Sequence, residues 1–524
     1  MHHLASVLFV AVAAIAAPAQ QAPVVHVFLL AGQSNMEGHG VVDLDDERDY
    51  NGGRGTLASF LRDPAQAAAW RSLRAADGAW ATRDDVFVTY RPEHGPRKTG
   101  PLSIGFAVYD DRHHFGPELG IGHALGDHFA APVLLVKTAW GGKSLAVDFR
   151  PPGAGGAVGP FYTRMLAEYR EALATFATDH PTLAGHRPQL DGVIWFQGWN
   201  DACDAAATRS YAANLTHLIA DLRREFADPE LPFVVGETGN WDGEEFRAAQ
   251  RLGCSDARVA AGTRFVATRQ FLRRPEDSPN QGHGHHWYGN GESYLRIGDA
   301  LGRAVAGAIV ARTRPTIPAG EDPLRWRDDV TALAAAPPGA RHPVVFVGSS
   351  SIRGWRTLAN DMADLPVRNH GFGGSRLFDT TYWLEELVVR HDPSVVVVFA
   401  GTNDIAGANP RPTEWVADRF DELVVRLRAL GCAAPLVYIA ITPTPGRAEH
   451  LALVHAANAA IAARCARDPR LHFVDTAAGM LSPDGQPDPQ WFGPDRMHLN
   501  EAGYRHWTQL LRPVVARLHA TNDR

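Results

Sequence analysis

The 524-residue chain holds only four cysteines, Cys203, Cys254, Cys432 and Cys465. None lies in a C-x-x-C pair, which argues against zinc or dithiol redox chemistry, and four are too few to staple a chain of this length. Cys203 with Cys254, and Cys432 with Cys465, are open to pairing in an oxidising compartment; buried free thiols are the equal alternative. Long basic runs are missing as well. With 51 Lys+Arg against 58 Asp+Glu the net charge is -7, so nothing tracks a phosphate backbone and nucleic acid is not an expected partner. Beyond the first twenty residues no stretch reaches the roughly 18 to 20 unbroken apolar residues of a membrane span. No carboxylate or histidine recurs at metal-ligand spacing, so neither a metal nor another cofactor is expected.

What is present begins with residues 4–17, which are almost wholly apolar and run into small residues and Pro18. This is the pattern of a signal peptide core and cleavage region, although His2 and His3 stand where Lys or Arg is usual. The expectation is a secreted or periplasmic protein that loses residues 1–20; a buried first strand or a retained anchor is the alternative. With 45% hydrophobic residues, the remainder is long enough for two cores.

Apolar runs of strand length at residues 24–30, 133–137, 193–196 and 233–236 alternate with longer helical patterns, as in β-α-β units around a parallel sheet. The alternation restarts at 344–347, 395–399 and 436–441, after a Pro-rich polar stretch and a short amphipathic helix over 324–335. The expected division is a first domain at 21–312, a linker at 313–323 and a second domain at 324–524. In such sheets chemistry collects beyond the carboxyl ends of the strands.

In the second half, the 344–347 strand runs into Gly348-Ser349-Ser350-Ser351, a hydroxyl-rich turn that by itself more often caps a helix than attacks a substrate. Three further segments change its meaning. Phe372-Gly373-Gly374 and Gly401-Thr402-Asn403-Asp404 supply a backbone N–H and a side-chain amide, the donor types that hold an oxyanion. Asp495-Arg496-Met497-His498 sets a carboxylate three residues before an imidazole, suited to holding one tautomer while His takes a serine proton. These four separated blocks resemble the SGNH, or GDSL-type, hydrolase family. The resemblance implies Ser350 as nucleophile, with Ser351 as its rival, Gly374 and Asn403 as oxyanion donors, and Asp495 and His498 as the rest of a triad. Ser349 departs from the Asp usual in that motif.

The first half repeats the block order with Gly32-Gln33-Ser34-Asn35-Met36, then Trp140-Gly141-Gly142-Lys143-Ser144, then Gln197-Gly198-Trp199-Asn200-Asp201. With Phe115-Gly116-Pro117-Glu118-Leu119, these residues resemble the sialate O-acetylesterase and acetylxylan esterase branch of the same superfamily. That resemblance implies Ser34 as nucleophile, Gly142 and Asn200 as oxyanion donors, and Gln197 in the same cleft. The branch histidine falls within His283-Gly284-His285-His286; spacing to Gly298 selects His286, with His285 next. His283 stands where an orienting Asp would be. Glu118 is expected either to support the Ser34 loop or only to favour a helix start.

The resemblance further implies an α/β protein of two flavodoxin-like domains, each a mainly parallel sheet flanked by helices. The expected activity is serine esterase removal of O-acetyl groups from an acetylated oligo- or polysaccharide. A lipid or lysophospholipid esterase, or one catalytic domain served by a glycan-binding module, are the alternatives. Lys143 and Arg150 are candidates to meet an acidic sugar, with solvated surface charges as the commoner alternative, and Trp140, Trp199 and Trp287 are candidates to stack on sugar rings, with a place in the core as the commoner alternative.

Overall fold

A computed structural model describes residues 22–335, 342–406 and 410–522, so the expected signal peptide lies outside the described residues. Nine strands belong to the first half: β1 (Val24–Gly32), β2 (Gly40–Val41), β3 (Arg83–Tyr90), β4 (Lys98–Leu102), β5 (His114–Phe115), β6 (Val133–Ala139), β7 (Arg187–Phe196), β8 (Phe233–Gly236) and β9 (Thr263–Val266). Seven form one sheet in the order β4-β3-β6-β1-β7-β8-β9. All pairings in it are parallel except β3 with β4 at the edge.

The second half holds β10 (Val344–Gly348), β11 (Val367–Gly371), β12 (Val395–Phe399), β13 (Leu436–Ile439) and β14 (Leu471–Val474). These form a parallel sheet in the order β11-β10-β12-β13-β14, the flavodoxin-like arrangement.

Both sheets are covered on both faces, which is why their central strands read as continuous apolar runs rather than alternating ones. In β1, Val25, Val27 and Leu29 join one core while Phe28 and Leu30 join the other. The helix Ala205–Glu225 starts on an Asp204 cap that accepts from Ala207 N at 2.7 Å. It lays Tyr211, Leu215, Leu218, Ile219 and Leu222 against the first of these cores, a helical apolar stripe. The helices Glu118–His128 and Gly291–Arg312 cover the opposite face. In the second half Trp507, Leu511 and Val515 of the helix Glu501–Asn522 close one face, and the helices Thr413–Ala429 and Leu451–Cys465 the other.

Between the two sheets, residues 313–322 carry neither helix nor strand. The halves touch through an Arg264–Glu385 ion pair at 2.6 Å and where Gly307 packs on the Leu430 carbonyl. All four cysteines are free, and burial raises the thiols of Cys432 and Cys465 to about 11 and about 12, so neither suggested pairing is formed.

The first strand of each domain, β1 and β10, ends on a glycine for a steric reason. A Cβ on Gly32 would lie 2.2 Å from the Phe196 carbonyl oxygen, and one on Gly348 2.0 Å from that of Phe399. The next amides, Gln33 N and Ser349 N, donate to those same carbonyls at 3.4 and 2.9 Å. Gly348→Ala is therefore expected to destabilise the second domain by about 2–3 kcal/mol and to lower its thermal midpoint; an unchanged midpoint would show that the neighbouring strand can yield.

Candidate active sites

Register brings the sequence blocks together. Gly348 of β10 pairs with Gly371 of β11 and Phe399 of β12, so the segments after all three strands leave the sheet at one level. Ser350, Gly374 and Asn403 line one cavity of about 260 Å³ with His498. Ser350 Oγ donates to His498 Nε2 at 2.9 Å, and His498 Nδ1 donates to Asp495 Oδ2 at 2.5 Å. The other carboxylate oxygen of Asp495 accepts from the amides of Met497 and His498, both at 3.0 Å. Together these bonds hold the Asp495 carboxyl down at about 2, the hydrogen bond from His498 being the largest cause. Among the described residues Ser351 Oγ has no such partner, and the Ser351 carbonyl accepts from Tyr504 at 2.9 Å.

The first half has the same frame. Gly32 of β1 pairs with Ala139 of β6 and Phe196 of β7, which brings Ser34, the 140–144 loop and Asn200 to one edge. Asn200 Nδ2 donates to the Gly142 carbonyl at 2.8 Å. A Cβ on Gly141 would stand 3.8 Å from Ser34 Cβ, whereas one on Gly142 would meet nothing within 4 Å.

The histidine is placed differently from that of the second site. The His286 ring stacks face to face on His39, centroids 3.7 Å apart, and no hydrogen bond joins it to Ser34 among the described residues. Burial, with His285 and His283 adding to it, pushes His286 down to about 3, so the ring is neutral. His285 lies at 4.1 Å from His286 and contacts Trp199, and its carbonyl accepts from Asn35 and Asn240. Among the described residues no group of three or more His, Cys, Asp or Glu is arranged to hold a metal ion.

Several sequence expectations are corrected here. Gln197 does not face the cleft with a free amide. Its Nε2 donates to Asp201 at 2.6 Å and to the Lys143 carbonyl at 3.0 Å, while its Oε1 accepts from Tyr211 at 3.0 Å, so each polar atom is satisfied inside the protein. Lys143 pairs with Glu93 at 3.1 Å, and Arg150 donates to the carbonyls of Ala146, Ala154 and Gly155. Trp140 and Trp287 are 0% exposed and belong to the core rather than to a sugar platform; of the three tryptophans named, Trp199 alone is partly exposed.

A supporting layer recurs in both halves, and sequence inspection assigned it no role. Asp201 accepts from Leu145 N and Ala146 N, both at 2.8 Å. Asp404 accepts from Leu377 N at 3.2 Å. Leu145 and Leu377 lie three residues after Gly142 and Gly374 respectively, so the Asp of each G-x-N-D block ties down the opposite loop. Burial raises both carboxyls, that of Asp404 to about 7.

The side-chain carbonyls of Asn200 and Asn403 are held as well, by different means. Gln33 Nε2 donates to Asn200 Oδ1 at 3.0 Å. At the matching place Ser349 is too short, and Arg447 donates to Asn403 Oδ1 at 3.3 and 3.4 Å and to the Thr402 carbonyl at 3.0 Å.

The first site also rests on a fully buried ion pair. Lys137 Nζ donates to Glu118 Oε2 at 2.7 Å, to the Glu37 carbonyl at 2.6 Å and to the Phe106 carbonyl at 2.8 Å, with both side chains 0% exposed. Glu118 therefore supports the Ser34 turn through Lys137, the functional alternative of the two expected for it. Glu37 itself, raised to about 7 chiefly by burial, accepts from Tyr90 at 3.1 Å.

A family model described as carbohydrate esterase, sialic acid-specific acetylesterase, matches residues 24–304. A second, for the GDSL-like Lipase/Acylhydrolase family, matches residues 338–506. Platelet-activating factor acetylhydrolase IB subunit alpha1 of Rattus norvegicus is 28% identical over 192 residues, 34% of this chain and 78% of the relative. A protein of Arabidopsis thaliana named "Probable carbohydrate esterase" is 25% identical over 213 residues, 40% of this chain and 66% of the relative. A solved structure of an Arabidopsis thaliana protein aligns with a TM-score of 0.35 and 17% identity, covering 54% of this chain and 98% of that one.

Two outcomes follow from the geometry. Lys137→Met leaves the Glu118 carboxylate buried without its cation and is expected to cost the first domain about 3–5 kcal/mol in denaturant unfolding. Adding Glu118→Leu should recover part of that loss; equal destabilisation of the single and double variants would place the cost elsewhere. Asp495→Asn, which removes the charge behind His498, is expected to lower whatever turnover is lost in Ser350→Ala by about 10⁴-fold. Near-wild-type kcat would show that the backbone alone orients the imidazole.

Proposed function

The chain belongs to the carbohydrate esterase family of sialic acid-specific acetylesterases and carries a GDSL-like acylhydrolase domain behind it; from that premise we propose an exported carboxylic ester hydrolase that removes O-acetyl groups from acetylated oligo- or polysaccharides. Residues 21–312 and 324–524 are proposed as its two catalytic domains, joined by a linker at 313–323. The single observation that carries the reading is the unbroken chain from Ser350 through His498 to Asp495.

In the proposed reaction His498 Nε2 takes the Ser350 proton as Oγ bonds to the ester carbonyl carbon. The resulting oxyanion is held by the backbone N–H groups of Ser350 and Gly374 and by Asn403 Nδ2, which has one proton on the Ser375 carbonyl at 3.1 Å and a second to offer. Collapse breaks the bond to the sugar oxygen, which leaves with the proton from His498. Water, deprotonated by the same nitrogen, then releases acetate and restores Ser350.

In the first domain Ser34, Gly142, Asn200 and His286 are proposed for the corresponding roles. A second reading has its own support: with His286 stacked on His39 rather than bonded to Ser34, the first domain would act as a glycan-binding module for the second. A long-chain lipid substrate is disfavoured by the Ser350 cavity, whose lining offers Met497 as its one large apolar side chain.

Ser34→Ala, Ser350→Ala and the double variant, assayed on p-nitrophenyl acetate, a longer-chain ester and acetylated xylan, test these readings. The double variant is expected to be inactive, and Ser350→Ala to remove most turnover. Activity on any of the esters in the double variant would reject both serines. If Ser34→Ala changes only the KM for polymer, the binding-module reading is correct. Any activity left in Ser350→Ala should keep its acid limb near 3, since a neutral His286 is the base-competent form above that value, not near the ordinary 6.5; a limb near 6.5 would mean that another base serves Ser34.

A further inference from the structure

Among the described residues, the Ser350 cavity is lined by basic and neutral side chains. Two arginines, Arg353 and Arg447, line it together with Ser350 and His498, and none of its lining residues is Asp or Glu. Asp495 stands behind His498, with its oxygens taken by His498 and by two backbone amides. Among the described residues no carboxylate lies within ion-pair distance of either guanidinium; the donors of Arg447 reach only the neutral acceptors Thr402 O and Asn403 Oδ1. Arg447 is partly buried, and that burial pulls its guanidinium below the ordinary value, a sign that solvent does not fully compensate the charge.

Holding the asparagine does not require a cation. In the first domain the neutral Gln33 grips Asn200 in the same way. Lys143, next to Gly142 there, is neutralised by Glu93 at 3.1 Å. The positive charge at Arg447, joined by Arg353 on the adjoining helix Ser350–Arg353, therefore needs another reason. A guanidinium with N–H groups left over is suited to planar, bidentate contact with a carboxylate or phosphate.

We propose that Arg353 and Arg447 form a subsite for an anionic group, a carboxylate or a phosphate, carried by the acetylated substrate beside the ester that Ser350 cleaves. This rests on Ser350 being the nucleophile of the second domain.

The test uses the full chain carrying Ser34→Ala, so that only the second site turns over, and two matched substrate pairs. One pair is a mono-O-acetylated methyl glucuronoside against the corresponding methyl glucoside; the other is acetylglycerol phosphate against monoacetylglycerol. At low salt the anionic member of at least one pair is expected to have the higher kcat/KM, by about tenfold and mainly through KM, with the advantage falling as ionic strength rises. Preference confined to the glucuronoside identifies an acidic glycan as the source, and preference confined to the phosphate a phosphoglycerol.

The ratio within a pair should collapse toward one in Arg353→Gln and in Arg447→Gln, and Arg447→Lys should restore part of it. Because the ratio is taken within one variant, a general loss from a displaced Asn403 cancels. Equal rates on both members of both pairs, or ratios unchanged in the variants, would overturn the subsite. Activity surviving Ser34→Ala with Ser350→Ala would instead overturn the serine mechanism itself, so the two failures are distinguishable.

Discussion

The architecture of both halves depends on the absence of one carbon atom. Where β1 and β10 end, a Cβ would stand about 2 Å from the carbonyl oxygen of the neighbouring strand, so the last strand residue must be glycine. That close approach lets the following amide bond to the same carbonyl and turns the chain sharply out of the sheet. Two residues later comes the serine, at the edge of the sheet, where the loops after the flanking strands also emerge. Parallel strands in register make this convergence automatic, because neighbouring strands end at one level.

The second recurrent device is a buried carboxylate that ties the loops to one another. Asp201 and Asp404 follow directly on Asn200 and Asn403 and reach amides three residues beyond Gly142 and Gly374. Each is held against a desolvation cost that raises its carboxyl, and hydrogen bonding is the first compensation, joined at Asp404 by the charge of Arg376. The first half adds the buried Lys137–Glu118 pair beneath its serine turn. Removing water strengthens such a pair but makes it expensive to break, so it rigidifies the place where Ser34 is presented.

The two sites diverge at the base. In the second, a carboxylate three residues before the histidine in the chain fixes the ring and leaves Nε2 facing the serine. In the first, that place is His283, and the His286 ring is packed among other imidazoles and kept neutral by burial. A shared scaffold thus carries two different electrostatic environments for the same kind of serine.

Much of this was legible in the chain. Continuous valine-rich runs such as that of β12 fit strands buried on both faces, and six of the seven runs read as strands are contained in the strands observed or coincide with them; β1, β6, β7 and β10 extend beyond the predicted runs, and β13 ends at Ile439, short of its run. Strands β3, β9, β11 and β14 were not foreseen, because they carry charged or polar residues such as Arg264, Asn369 and His472, and gain their pairing from neighbours rather than from local pattern. The resemblance of the four blocks to the SGNH family singled out Ser350, Gly374, Asn403, Asp495 and His498, and the Asp-x-x-His spacing is local enough to be read from the chain. The sequence could not tell that Gln197 is fully engaged by Tyr211 and Asp201, that Arg447 grips Asn403, or that His39 covers His286. Those contacts join residues between 4 and 247 positions apart in the chain, and only the packing of strands and loops against each other decides which side chains share a desolvated space.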